Sequence, residues 1–479
     1  MKEKYTVAAA DIGGTGGKIA AASFDGSKIE LHEEYTFPNR EVYAGGALYW
    51  DVLSLYADVN EGLQYLKSKA RIRSLGIDTW GVDFGLLDSN LKLMGNIYHM
   101  RDYRTKGLPE EVFKTVPERE LFYSTASDSS RFYGLFQLYE MQKNRPYVLE
   151  NARLLMFTPD LLNYYFTGEV GKSDITMAGT SQLLNSTMTA WNTELLTRLG
   201  LPTHYLNTLG YPGEHTGKTS EGIDVIRVGG HDSSDAAAAL EDGAFYVSGG
   251  TFLVTGFKSD ATILNDAMIS HGFKNTTGPD HKFLVYKNVT GFWTLKEVMA
   301  DYAQRGQHYS FDDLVQLARA EKPFQSLINI DKFSEKKPSM IDAICQYCAD
   351  TGQQSPDTPG KMARCLYESY AMQVKDCYLA SKEISGRDWN AVYVINGAMR
   401  NRLLCQMFAD ATGLPVYGGL ARATMIGNAG IQLISAGEIS GFDELSKIAT
   451  ASFPYDEYLP QGSSVWDEQY EKTKSFVIG

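Results

Sequence analysis

No stretch of the sequence stays apolar for the length of a membrane span, and Met1-Lys2-Glu3-Lys4 leads straight into a short strand with no hydrophobic leader. Basic residues are in deficit, 45 Lys and Arg against 58 Asp and Glu, a formal net charge of −13. Nucleic acid and anionic membrane both demand a basic surface, so neither is expected as a partner. A small anionic ligand needs only a local site and stays open. Cysteine is scarce and odd in number, five in all, scattered through the second half as reduced thiols in a cytoplasm would be. Cys345 and Cys348 form a lone Cys-x-x-Cys without a second ligand pair, in an apolar helical pattern, which reads as core and not as zinc. What remains is ordinary globular composition over 479 residues, enough for two or three domains.

The chain is organised around Val228-Gly229-Gly230-His231-Asp232-Ser233-Ser234. Alternation from Ile223 to Val228 predicts a strand end, and the alanine-rich run Ser234 to Leu240 predicts a buried helix. Asp232 falls at or just before the helix start, where an acid serves as a cap or as a held functional carboxylate. Near the N-terminus, Tyr5 to Ala10 and Ile19 to Phe24 are short apolar strands around Asp11-Ile12-Gly13-Gly14-Thr15-Gly16-Gly17-Lys18. This is a hairpin; the spacing to Lys is wrong for a Walker A loop, and no helix follows as a Rossmann turn requires. Backbone amides in such a turn can face phosphate, though a plain tight turn reads the same way. Phe245 to Phe257 repeats the design, strand, Gly249-Gly250-Thr251, strand, at the start of the second half. A duplicated domain, each copy opening with a phosphate-facing hairpin, accounts for the repeat, and two such lobes would clamp a nucleotide in the cleft between them.

A helical pattern from Trp50 to Lys69 precedes a strand, Ile72 to Ile77, which ends in Asp78-Thr79-Trp80-Gly81-Val82-Asp83. Acids accept hydroxyl protons and an indole covers carbon, so Trp80, Gly81 and Asp83 suit a sugar; two loop acids and a core Trp is the alternative. His99 to Thr105, with Arg101, is a polar knot that serves either as a substrate edge or as a surface ion-pair cluster.

These residues resemble the FGGY carbohydrate kinases, and within them the rhamnulokinase branch, most specifically in Trp80 to Phe84 and in Tyr347-Cys348-x-x-Thr351-Gly352-Gln353. The resemblance implies an α/β fold of two actin-like (ribonuclease H-like) lobes with a ligand cleft between them. It implies a cytoplasmic kinase, monomer or homodimer, using ATP and Mg²⁺ to phosphorylate the C1 hydroxyl of a ketose, L-rhamnulose first. L-fuculose, L-xylulose or D-xylulose, and a non-catalytic actin-like ATP-binding regulator, remain the alternatives. By position it makes Asp232 the catalytic base and Asp11 the magnesium organiser acting through water. Gly14, Thr15, Gly16, Gly17 and Lys18 become the first phosphate turn. Gly250, Thr251, Lys296, Gly397 and Asn401 fall to the nucleotide. Trp80, Gly81, Asp83, Arg101, His231, Ser233 and Asn288 fall to the sugar. Residues 1–242 would form the first lobe, 243–459 the second and 460–479 a tail. The chain departs from the family pattern at Gly16-Gly17-Lys18, Lys296, Asn396-Gly397-Ala398 and Arg422, and in the polar segment Ala126 to Phe132, which bears on the sugar and the nucleotide.

Overall fold

Small apolar residues with glycine at the bend make Tyr5–Gly13 and Gly16–Phe24 an antiparallel pair closed by Gly14 and Thr15, with the strands running further into the turn than their apolar cores require. The computed structural model describes residues 4–478. Met1-Lys2-Glu3, where the leader-free start was read, lie outside the described residues, as does Gly479 of the tail.

By compactness the chain divides into two units. The first holds 1–242 with 258–285 and 423–452; the second holds 243–257, 286–422 and 453–479. The first unit's main sheet runs in the order His215–Lys218, Asp224–Ile226, Ser74–Thr79, Tyr5–Gly13, Gly16–Phe24, Ile29–Pro38. Tyr5–Gly13 pairs in parallel with Ser74–Thr79, which pairs in parallel with Asp224–Ile226. Ala8, Ala9, Ala10 and Ile12 are fully buried, as a strand covered on both faces demands. Helix Ala423–Ser435, buried on every side from Ala423 to Leu433, belongs here because Gly76 leaves room for it: a Cβ at Gly76 would meet Asn428 Oδ1 at 2.6 Å.

In the second unit Phe245–Gly249 pairs antiparallel with Phe252–Ser259 and parallel with Val392–Asn396, followed by Val416–Gly418 and the antiparallel Asp456–Tyr458. The order hairpin, then parallel strand on its first arm, repeats that of the first unit, so the duplication seen in the sequence is a duplication of topology. Helix Pro359–Ser385 is buried along most of its 27 residues and forms the spine of this unit's core. The motif-free tail is a helix, Ser463–Val477. Among the described residues no helix is long and apolar enough to cross a membrane.

Candidate active site

Three backbone segments end side by side in the first unit. Asp11 and Asp78 are register partners on parallel strands. Thr79 N–H donates to Gly230 C=O at 2.8 Å, and Thr79 bridges to His231. Asp232 then opens helix Asp232–Ala238, but the capping position belongs to His231, whose side chain makes no cap bond. The Asp232 carboxylate is held otherwise. Ser233 Oγ donates to its Oδ1 at 3.0 Å, His231 Nε2 lies 3.6 Å from the same oxygen, and 36% of the side chain stays accessible. Burial of the rest pushes the carboxyl above the ordinary range, while Ser233 and the charge of Lys18 pull it back. Asp11 Oδ2 faces Lys18 Nζ at 3.2 Å across the first hairpin. Burial raises the Asp11 carboxyl, Lys18 opposes that, and the charge of Asp232 adds to the rise, so the two acids stand within each other's field.

Asp78, one of the two acids of the Gly81 stretch expected near a sugar or in an open loop, is instead fully buried, as is Asp235, to which the sequence assigns no role. Asn428 Nδ2 donates to Asp78 Oδ2 at 2.7 Å, and Gly229 N–H donates to Asp235 Oδ1 at 2.6 Å. Burial first, then neighbouring carboxylates, hold both well above the ordinary range. Asp78 Oδ1 and Asp235 Oδ2 are buried and accept from no donor among the described residues. The available signal is positional: Asp78 follows the apolar run of its strand as Asp11 follows that of the neighbouring one.

The turn after Ser74–Thr79 is strained. Val82, β-branched and buried, sits at φ 73°, held by its N–H donating to Thr180 Oγ1 at 2.9 Å. Asp83 departs from its expected place against a sugar. It is fully buried, its Oδ2 accepts from Trp50 Nε1 (2.6 Å), Trp80 Nε1 (2.9 Å) and Met100 N–H (3.2 Å), and its Oδ1 accepts from Gln137 Nε2 (2.9 Å). Buried indoles need an acceptor, and Asp83 supplies it to two. Trp80 packs tilted against Trp50, ring centroids 4.0 Å apart, and keeps only 5% of its surface, so Gly81 and the turn backbone are what this stretch offers a ligand. Arg101 is exposed, its N–H donating to His99 Nδ1, while Asp102 and Arg104 behind it form an internal ion-pair cluster.

His231 is buried, and its Nδ1 meets no partner among the described residues. Burial, helped by the charge of Lys274, lowers its pKa to about 3. Lys274, another residue that sequence reasoning passed over, donates to Tyr133 Oη at 2.5 Å and lies 3.6 Å from Asp128 in the polar segment. Gln182 Nε2 ties that segment down through Asp128 C=O at 2.9 Å. His231 is therefore expected to stay a neutral imidazole from pH 8 to pH 5. A ring titration followed by NMR with a midpoint near the ordinary 6.5 would contradict this placement.

The remaining candidates lie in the second unit. Gly250 is exposed and Thr251 half-buried at the second hairpin, whose Thr251 C=O accepts from Gly291 and Trp293 N–H. Gly397 follows Asn396, the register partner of Gly249, and a Cβ there would strike Gly249 C=O at 2.9 Å. Asn401 Oδ1 is taken as the cap of helix Arg402–Thr412 by Leu404 N–H at 3.0 Å. Asn288 and Lys296 are both exposed. Asp11, Gly14 to Lys18, Gly81, His231, Asp232 and Ser233 thus belong to one unit, and Gly250, Thr251, Gly397 and Asn401 to the other.

Paired α/β units, each opening on a glycine hairpin, with an open carboxylate at a strand-to-helix turn, define a phosphotransferase of the actin-like class. Residues 6–230 match the FGGY family of carbohydrate kinases, N-terminal domain, and residues 245–436 match its C-terminal domain. The chain belongs to that family and is a carbohydrate kinase. A protein named Rhamnulokinase from Bacteroides thetaiotaomicron is 34% identical over 100% of both chains. Another of that name from Halalkalibacterium halodurans is 32% identical over 94% of this chain and 98% of its own. Among solved structures, the ligand-bound xylulose kinase from Lactobacillus acidophilus superposes with a TM-score of 0.81 at 14% identity, covering 98% of this chain and 97% of that one. Plasmodium falciparum glycerol kinase with ADP gives 0.79 at 13%, covering 98% of each. At such identities the likeness fixes the fold of two actin-like lobes and nothing finer.

Proposed function

We propose that the chain transfers the γ-phosphate of ATP to the C1 hydroxyl of L-rhamnulose, giving L-rhamnulose 1-phosphate in the cytoplasm, as a monomer or homodimer. The name carried by relatives over the whole length supports the sugar, and the observation that carries the chemistry is Asp232. Its carboxylate is accessible and raised, is oriented by Ser233 and sits beside a neutral His231. Such a group orients the attacking hydroxyl and takes its proton as the bond to phosphorus forms. His231 Nδ1 and the Gly81 turn position the sugar. Lys18, the amides of Gly14 to Gly17 and those of Gly250 and Thr251 meet the phosphates. Residues 1–242 would carry the sugar and the base, and 243–459 the nucleotide.

The donor set suits a divalent cation held mainly through water. Asp11 and Asp232 lie in each other's field, and the described residues contain no cluster of three ligands that would form a protein cage. When bound, Mg²⁺ supplies charge neutralisation on the β- and γ-phosphates. A fully hydroxylated ketose is the second reading, favoured by the polar trio Asp128, Tyr133 and Lys274 near His231.

Rates of ADP release with ATP, Mg²⁺ and a ketose panel test the proposal. L-rhamnulose should give the highest kcat/KM, with L-fuculose and L-xylulose slower by roughly 10–200-fold, the span one methyl or hydroxyl contact yields. A clear preference for D-xylulose, L-ribulose or glycerol would sink the sugar assignment. The nucleotide placement has its own check. A Cβ at Gly14 meets nothing of the protein within 4 Å. Gly14→Val should therefore raise the ATP KM at least several-fold while leaving stability and sugar binding alone, and Thr251→Val should do likewise. Lost sugar affinity with intact ATP affinity would overturn it.

A further inference from the structure

We infer that the first unit holds a second small-molecule site, for a short-chain carboxylate, between strand Phe84–Leu87 and helix Gly134–Asn144. A cavity of about 170 Å³ opens there, its apolar lining including Phe84, Leu86, Met94, Met141 and Val148. Its polar lining includes Arg104, Arg145, Tyr98 and Asn96. Its volume equals roughly six waters of liquid and falls below the ~300 Å³ at which drug-sized ligands begin, so the occupant is small.

Cation chemistry selects the ligand. Arg104 and Arg145 lie over the Tyr98 ring, 4.2 and 4.8 Å from its centroid. Each guanidinium has five N–H donors. Arg104 makes three bonds, to Gln137 C=O, Gln137 Oε1 and Glu140 Oε2. Arg145 makes two, to Tyr98 Oη and Glu140 Oε2. Arg104 is nine-tenths buried, yet its Nε has no hydrogen-bond acceptor; Asp102 Oδ1 lies 3.9 Å away, and Asp102 already accepts from Leu48 and Arg104 N–H. Glu140 is shared between the two cations and Asp102 pairs with Arg104, so the charges balance, while unused guanidinium N–H groups remain as donors for one further oxyanion. The apolar part of the lining matches a carbon body and not a bare inorganic ion.

Gln137, which lines the cavity, links it to the strained turn. Arg104 Nη2 donates to Gln137 Oε1 at 2.6 Å, and Gln137 Nε2 donates to Asp83, which holds Trp80. A ligand drawing on Arg104 would shift that chain, so occupancy should alter indole fluorescence and, on the kinase reading above, the sugar KM.

Titration calorimetry and tryptophan fluorescence with lactate, butyrate and inorganic phosphate test the site without reference to turnover. The carboxylates should bind in the millimolar range or tighter and change the emission. Arg145→Met, which keeps the packing of a partly exposed side chain, should weaken them at least tenfold, and Val148→Trp should abolish binding by filling the cavity. Unchanged melting temperatures without ligand would show that both variants fold. No binding by any probe up to ~50 mM, or binding indifferent to both variants, overturns the site; phosphate binding as well as the carboxylates do overturns the ligand class.

Discussion

Asp232→Asn should lower kcat by about 10²–10⁴ while the KM values for ATP and sugar move little. The substitution keeps the shape, the bond from Ser233 Oγ and the first turn of the helix. It removes only the charge that receives the hydroxyl proton, and a positioned general base contributes on that scale. A purely structural Asp would behave otherwise: the capping position is held by His231, so a capping loss would appear as stability and not as rate. The pH profile provides the second readout. Partial burial raises the Asp232 carboxyl, so the active, ionised form is lost as pH falls through a value above the ordinary carboxylate range. Wild-type kcat/KM should show that acid limb, and residual activity in the Asn variant should lack it. Near wild-type turnover would remove Asp232 from the chemistry.

What the sequence made legible was local. Both hairpins, the strand-to-helix turn at Asp232 and the helix after Trp50 rest on alternation, glycine pairs and periodicity within about 15 residues, and each is present with its ends shifted by a few positions. What escaped depends on partners far along the chain. Asp83 reads as a free loop acid until Trp50, Trp80 and Gln137 meet at it, and Gln137 is 54 positions away. Asp78 and Asp235 look unremarkable apart, 157 positions from one another, and become an acid pair only when Gly230 joins Thr79. Nor does residue order reveal that 258–285 and 423–452 return to the first unit; helix Ala423–Ser435 declares only that it is buried, not where. Lys274 enters the His231 surroundings by the same return.

Asp83→Ala should cost about 3–5 kcal/mol of stability and loosen the Trp80 to Asp83 turn enough to raise the sugar KM about tenfold. Four donors would lose their acceptor in a dry environment: Trp50 Nε1, Trp80 Nε1, Gln137 Nε2 and Met100 N–H. Each orphaned donor costs roughly 1–3 kcal/mol, so the gross penalty is about 4–12. Against it stands the price of keeping a buried carboxylate. Burial raises Asp83 from 3.8 to about 6, a displacement of about 2 that costs on the order of 3 kcal/mol at neutral pH and that alanine recovers. The orphaned donors win. Asp83→Asn keeps an oxygen for the indoles and sheds the ionisation cost, so its loss should stay near ~1–2 kcal/mol. The sign with pH follows from a folded pKa above the unfolded one: this group's stabilisation of the wild type is full below about pH 4 and is lost as pH rises through about 6. The Asn variant should therefore close on the wild type between pH 4 and pH 7. Urea unfolding followed by indole fluorescence at those two pH values measures both effects, and a loss below ~1 kcal/mol in Asp83→Ala would show that water replaces the carboxylate as acceptor.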